Sequence, residues 1–254
     1  LSRIVYLSGL VPDVGAADLS PHIASRLEVE QILTASGIAT LSVRAGMILG
    51  GGSTSFEVLR QVSERFVLQP VPSWLGSRVQ PIAVTDVLLA LAGALGTSGV
   101  VPTSRSYDVG GPDVLPYPEL LRLYAASARL WRFQVRVPLV PSRVVGVAGG
   151  LLTDVPAATM AALVESLRHD MVCRESDAAA NLFPRGHRLL GAAEGIHGAL
   201  RSAPPDPMSA WPTDPDWTNG GRRGLFGRVA SRLDRAAGRV RPSSPISVPR
   251  RSTP

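Results

Sequence analysis

Apolar residues in this chain fall in short blocks that alternate with stretches of helical spacing. Arg3-Ile-Val-Tyr-Leu-Ser-Gly9 is an apolar run ending on small residues, the pattern of a strand buried on both faces of a parallel sheet. Ser20 before Pro21 predicts a capped helix start, and Ile23, Leu27, Val29, Ile32 and Leu33 then recur at helical spacing up to Gly37. Residues 39–49 read as the next strand, 50–52 as a loop and 55–66 as a helix. A short strand follows over 79–84, then a helix from Thr85 or Asp86 through Leu95. Residues 107–109 form another strand, closed by Gly110-Gly111-Pro112, and Pro118 to Ala128 a further helix. Alternation of this kind predicts an α/β fold with a parallel, helix-covered sheet.

The pattern changes from Leu130 onward. Val135 to Val137 reads as a strand, and 141–152, 157–167 and 188–200 read as helices, which makes 129–202 a small cap on the domain formed by 1–128. Residues 203–221 are a proline-rich linker. In 222–241, Leu225, Val229, Leu233, Ala237 and Val240 share one side of a helix and Arg228, Arg232, Arg235 and Arg239 another. Residues 242–254 are expected to be disordered, so 203–254 forms a linker and basic tail.

Charge sharpens that division. The net charge is +6, but residues 221–254 hold nine arginines against one aspartate. The rest of the chain has seventeen arginines against nineteen acidic residues, so its body is weakly acidic and not expected to bind nucleic acid. The tail offers contact with an anionic membrane surface through 222–241. Apolar content of 45% suffices for a packed core. A single cysteine, Cys173, excludes an internal disulfide and fits the reducing cytoplasm. Neither a zinc-ligand spacing nor a nucleophile-elbow signature is present in the sequence, and no metal site is expected.

Five segments, in order, carry a family likeness: Ile4-Val-Tyr-Leu-Ser-Gly9, Ser20-Pro-His-Ile-Ala-Ser-Arg26, Val43-Arg-Ala-Gly-Met-Ile-Leu-Gly50, Gln80-Pro-Ile-Ala-Val-Thr-Asp-Val87 and Tyr107-Asp-Val-Gly-Gly-Pro112. Together they resemble the atypical short-chain dehydrogenase/reductase superfamily, in its NAD(P)H-binding, NmrA-like branch. The resemblance implies the C-terminal part of a Rossmann-like doubly wound parallel sheet, with Ile4 to Leu7 as the fourth strand. It implies NAD(P) as the cofactor of the intact family. The glycine-rich turn that holds the pyrophosphate at a helix N-terminus is not in this sequence. The chain is therefore expected to be truncated, to bind no dinucleotide alone and to need a protein partner or oligomer to complete its sheet. The alternative is a non-enzymatic dinucleotide-sensing or regulatory module.

The resemblance also assigns residues. His22 and Arg26 stand at the i, i+4 spacing where the superfamily places a Tyr and a Lys, so that both face the cofactor. A histidine could donate a proton near neutral pH, and an arginine could bind ribose or phosphate, but it stays charged. Ser8 falls where the superfamily has a serine that bonds the substrate. Arg44, Ala45, Gly46 and Met47 match the segment lining the nicotinamide side. The same residues also fit plainer roles: His22 and Arg26 on a capped surface helix, Ser8 as a small strand end. Asp86 reads as a helix cap and structural anchor.

Overall fold

A computed structural model describes residues 2–96, 103–138, 140–141, 145, 153 and 155–201. Three parallel strands form the central sheet: β1 (Ile4–Gly9), β2 (Thr40–Ala45) and β7 (Arg105–Val109), in the order β1-β2-β7. Register runs straight, with Ile4 beside Thr40 and Leu41 beside Arg105. Among the described residues β1 is an edge strand and β2 the centre.

The residues of β2 alternate in kind, and five of its six are buried. Leu41, Val43 and Ala45 point to one face with Val5, Leu7, Tyr107 and Val109. They pack on Val87, Ala90 and Ala94 of helix α3 (Val84–Gly96) and on Ala178 and Leu182 of the short Ala178–Leu182 helix. Gly93 permits this approach, since a Cβ there would lie 1.9 Å from the Leu182 carbonyl oxygen. The other face meets α1 (Pro21–Ala35) through polar contacts. Tyr6 donates to the Arg26 carbonyl at 3.4 Å, and Arg44 forms a two-pronged pair with Glu30 at 3.1 and 2.7 Å. Helices thus cover both faces of the sheet, one by apolar packing and one by polar bonds.

Helix α1 starts as its sequence dictates. Ser20 Oγ accepts from the Ile23 amide, and Pro21 occupies the first turn, where its missing N–H is no loss. Its apolar stripe is only partly covered: Ile23 is buried, but Val29 is 42% and Ile32 62% exposed. Glu30 takes the inward position instead, drawn there by Arg44.

Two expected strands are interrupted. Residues 39–49 divide into β2 and β3 (Ile48–Leu49), because Gly46 lets the backbone pass against Gln80; a Cβ there would lie 2.0 Å from the Gln80 carbonyl oxygen. Residues 79–84 divide into β5 (Arg78–Val79) and β6 (Ile82–Ala83) at Gln80-Pro81, since Pro81 has no N–H for a ladder. The next helix begins at Val84, ahead of Thr85 and Asp86. β3 pairs with β6, and β5 with β8 (Leu115–Pro116). A pairing not expected from sequence joins β4 (Leu68–Pro72) in parallel to β9 (Phe133–Val137).

Helices α2 (Thr54–Arg65) and α4 (Tyr117–Ser127) agree with expectation to within a residue. Two further helices, α5 (Ala157–Ser166) and α7 (Ala192–Arg201), return to the body, with α6 (Ala178–Leu182) between them. Ile196 of α7 is buried in one cluster with Leu49, Phe56, Leu59, Leu120 and Tyr124. The helix expected at 141–152, the linker and the basic tail lie almost wholly outside the described residues. Among the described residues no helix is long and apolar enough to cross a membrane.

Candidate functional site

A cavity of about 290 Å³ opens at the carboxyl ends of β1 and β2. Ligands of open parallel sheets bind at that end of the strands. The strand ends contribute Leu7 to Leu10 and Ala45 to Ile48, and α1 contributes His22, Ile23 and Arg26 from its first turns. The first turn of α2 adds Ser53, Thr54 and Ser55, and the far wall is Leu163, Val164, Ser166, Leu167 and Met171 with Val79 and Tyr117.

The sequence placed Ser8, His22, Arg26, Ala45, Gly46 and Met47 at a site, and all six line this one cavity. Arg44 does not. Its side chain lies on the α1 side of the sheet, level with Ser8, but is turned to Glu30 of α1, which holds it away from the cavity. The ion pair with Glu30 raises the guanidinium pKa despite the cost of burial. Cofactor contact from Arg44 is thus limited to its backbone.

Ser8 is 4% exposed and its Oγ has no hydrogen-bond partner among the described residues. An unmatched buried hydroxyl costs about 1–3 kcal/mol, so its position is a marker for a ligand. His22 titrates below its ordinary value, first because burial strips water from the ring and second because Arg26 stands beside it. At neutral pH its imidazole is uncharged, which suits a hydrogen bond better than proton donation. Tyr117 was not foreseen as a site residue. It is the first residue of α4, fixed between Pro116 and Pro118, and its only sequence signal was an aromatic residue at a proline-framed helix start. Its ring is 6% exposed, and burial alone holds its pKa above the ordinary tyrosine value.

The residues outside the cavity have structural roles. Asp86 is buried; it pairs with His187 at 2.8 Å and accepts from the Leu190 amide at 2.9 Å, so it anchors the segment before α7. Cys173 is half-buried, and burial pushes its thiol up to about 12, with the Asp108 charge adding to the shift. Asp170 takes both the backbone and the guanidinium of Arg78. Among the described residues no three His, Cys, Asp or Glu side chains gather as a metal site would require.

A dinucleotide can be fitted to this geometry only in part. Ser8, Gly9 and Ala45 to Met47 could flank a nicotinamide ring at the strand ends. Nothing in the sequence after β1 supplies a glycine-rich turn for the pyrophosphate, since Leu10 to Leu19 contains a single glycine, Gly15.

No protein-family model and no curated protein matches the sequence. Solved structures do. The chain is similar to an NADPH-dependent quinone oxidoreductase from Escherichia coli, at 16% identity and a TM-score of 0.57 over 77% of this chain and 66% of that one. It is similar to a nucleoside-diphosphate-sugar epimerase from Staphylococcus aureus, at 13% identity and 0.56 over 78% and 65%. An NAD-dependent NDP-hexosamine 5,6-dehydratase of tunicamycin biosynthesis matches at 16% and 0.51, over 78% and 61%. The chain thus has the Rossmann-like fold of NAD(P)-dependent proteins. It spans under two thirds of the length of each of these three chains.

Proposed function

We propose that these residues form the nicotinamide and substrate side of an NAD(P)-dependent oxidoreductase-type site, of the atypical short-chain dehydrogenase/reductase kind. The observation that carries it is the unpartnered, buried Ser8 hydroxyl at the carboxyl end of β1, in one cavity with His22, Arg26 and Ala45 to Met47. In this role Ser8 bonds the substrate, the uncharged His22 ring bonds a second polar atom, and Arg26 offers a fixed positive charge. Leu163, Val164, Ser166, Leu167 and Met171, from the segment read as a cap, close one wall of the cavity. The setting proposed is the cytoplasm.

Pyrophosphate binding falls to a glycine-rich strand–turn–helix unit seated on the free edge of β1, on the same polypeptide or another. Nicotinamide supplies hydride chemistry when bound. Without that unit, the 254 residues are inactive and hold the dinucleotide no better than its nicotinamide half. Titration by NMR with nicotinamide mononucleotide and with NADPH separates the parts of the proposal. Weak contacts of the mononucleotide at Ser8 and Ala45 to Met47, with no gain for NADPH, are expected. Micromolar NADPH affinity would overturn the missing cradle, and mononucleotide contacts elsewhere would overturn the nicotinamide side.

A further inference from the structure

The cavity wall carries positive charge without a negative partner. Arg26 lines it from α1 and is partly exposed, and its guanidinium pairs with no carboxylate among the described residues. No Asp or Glu is among the described residues that line the cavity. Helix α2, 12 residues long, adds to the field, because Ser53, Thr54 and Ser55 at its start open on the same space. Ser53 does not cap it: its hydroxyl donates back to the Ile48 carbonyl at 2.9 Å. The free amides of the first turn therefore leave a positive helix end at the cavity. Glu57, the acid of that turn, lies outside the cavity and is held by Arg60 at 2.6 to 3.0 Å. Ser8 is an independent sign of a polar ligand. Leu7 packs toward α3, so the Ser8 side chain points to the α1 side, into the cavity, where its buried hydroxyl has no partner among the described residues. We propose that Arg26 and the first turn of α2 seat the carboxylate of a small carboxylic acid with an apolar body.

One fixed cation and one helix end match a single negative charge better than the roughly two charges of a phosphate monoester. The planar fork of an arginine fits a carboxylate with two parallel bonds. Leu10, Ile23, Val58, Val79 and Val164 make the rest of the lining apolar, so the body of the guest is apolar too. A cavity of about 290 Å³ lies at the lower end of small-molecule pockets, which keeps the guest small. That the acid is a substrate rests on the functional reading above, but its binding needs no dinucleotide.

The test uses cyclohexanecarboxylate and cyclohexanecarboxamide, which share a ring and differ in charge, with inorganic phosphate as a third probe. Each is titrated by NMR into the full chain and into Arg26→Gln and Ser55→Asp variants, with folding checked by thermal melting. In the unaltered chain the carboxylate should bind more tightly than the amide or phosphate and shift the amide resonances of Thr54 and Ser55. Arg26→Gln should weaken the carboxylate about tenfold and leave the carboxamide unchanged. Ser55→Asp puts a negative charge where the carboxylate sits and should weaken it by about the same factor. An acid in the first turn suits a helix start, so this variant should fold and carries the comparison if Arg26→Gln does not. Equal affinity for carboxylate and carboxamide overturns the proposal, as does a ratio that neither variant moves. Failure of the carboxylate to reach the cavity overturns it too, and phosphate binding tighter than the carboxylate overturns the single charge. Loss of the mononucleotide contacts at Ser8 and Ala45 to Met47, with the carboxylate still seated at Ser55, would remove the nicotinamide reading and leave the carboxylate seat; the reverse result would do the opposite.

Discussion

The two faces of the central sheet are buried by different physics. Toward α3, Leu41, Val43 and Ala45 meet apolar side chains, and contact is a matter of shape and area. Toward α1, Thr40, Ser42 and Arg44 are interleaved with those same residues, and contact is made by hydrogen bonds and one ion pair. Thr40 Oγ1 donates to the Leu33 and Ile38 carbonyls, and Glu30 is buried only because Arg44 meets it. An apolar face tolerates no lost volume. A polar face tolerates no lost partner. The cavity lies where the polar face ends, at Ser8, whose buried hydroxyl has no partner among the described residues.

Truncating the apolar face should do the most damage. Leu41→Ala leaves a cavity between β2 and α3 and should lower stability by about 3 kcal/mol, read from denaturant midpoints. A loss under about 1 kcal/mol would show that this face is not close-packed. On the polar face, Arg44→Met strands the Glu30 carboxylate and should cost about 2 kcal/mol, while Arg44→Met with Glu30→Leu should recover most of it. Equal losses for the single and double variants would mean that the pair is not what holds α1.

Ser8→Ala should be neutral or stabilise by up to about 1 kcal/mol, because it removes an unmatched hydroxyl. Clear destabilisation would show that Ser8 is bonded in solution and would weaken its role as a ligand marker. The smallest effect concerns pH. His22 titrates below its ordinary 6.5, so the unfolded chain binds this proton more readily than the folded one. Stability should then fall as pH drops from 6.5 toward the lowered folded value. Melting temperatures at pH 7.5 and 5.5 should show a smaller difference in His22→Gln than in the unaltered chain; identical differences would remove His22 from the balance.

Much of the fold was legible because its signals are local. Ser20-Pro21 marks a helix start whatever surrounds it, and apolar runs mark β1 and β2. The six cavity residues follow from the family resemblance, with the i, i+4 spacing putting His22 and Arg26 on one helix face. What could not be read depends on distant partners. Leu68 to Pro72 contains two prolines, which argues against a strand, yet it pairs with β9 from 65 positions away, Leu68 beside Phe133. Val29 and Ile32 follow the helical repeat, but no local pattern reveals that Glu30 finds Arg44 and turns inward. Tyr117 reaches the cavity only because β5–β8 pairing brings Pro116 beside Arg78.

Gln80 closes the structure in another sense. Its Nε2 donates to the Gly111 carbonyl at 2.8 Å, its Oε1 accepts from the Cys173 amide at 2.9 Å, and its backbone passes over Gly46. Those two side-chain bonds span 31 and 93 positions of sequence. Contacts across such separations carry a loop-closure entropy that a folding chain meets only after its local helices and nearby strands are in place. Loss of the Gln80 side chain is therefore expected to speed unfolding more than it slows folding. The crossing of Gln80 over Gly46, beside one wall of the cavity, would then act on the lifetime of the folded state as well as on the shape of the site.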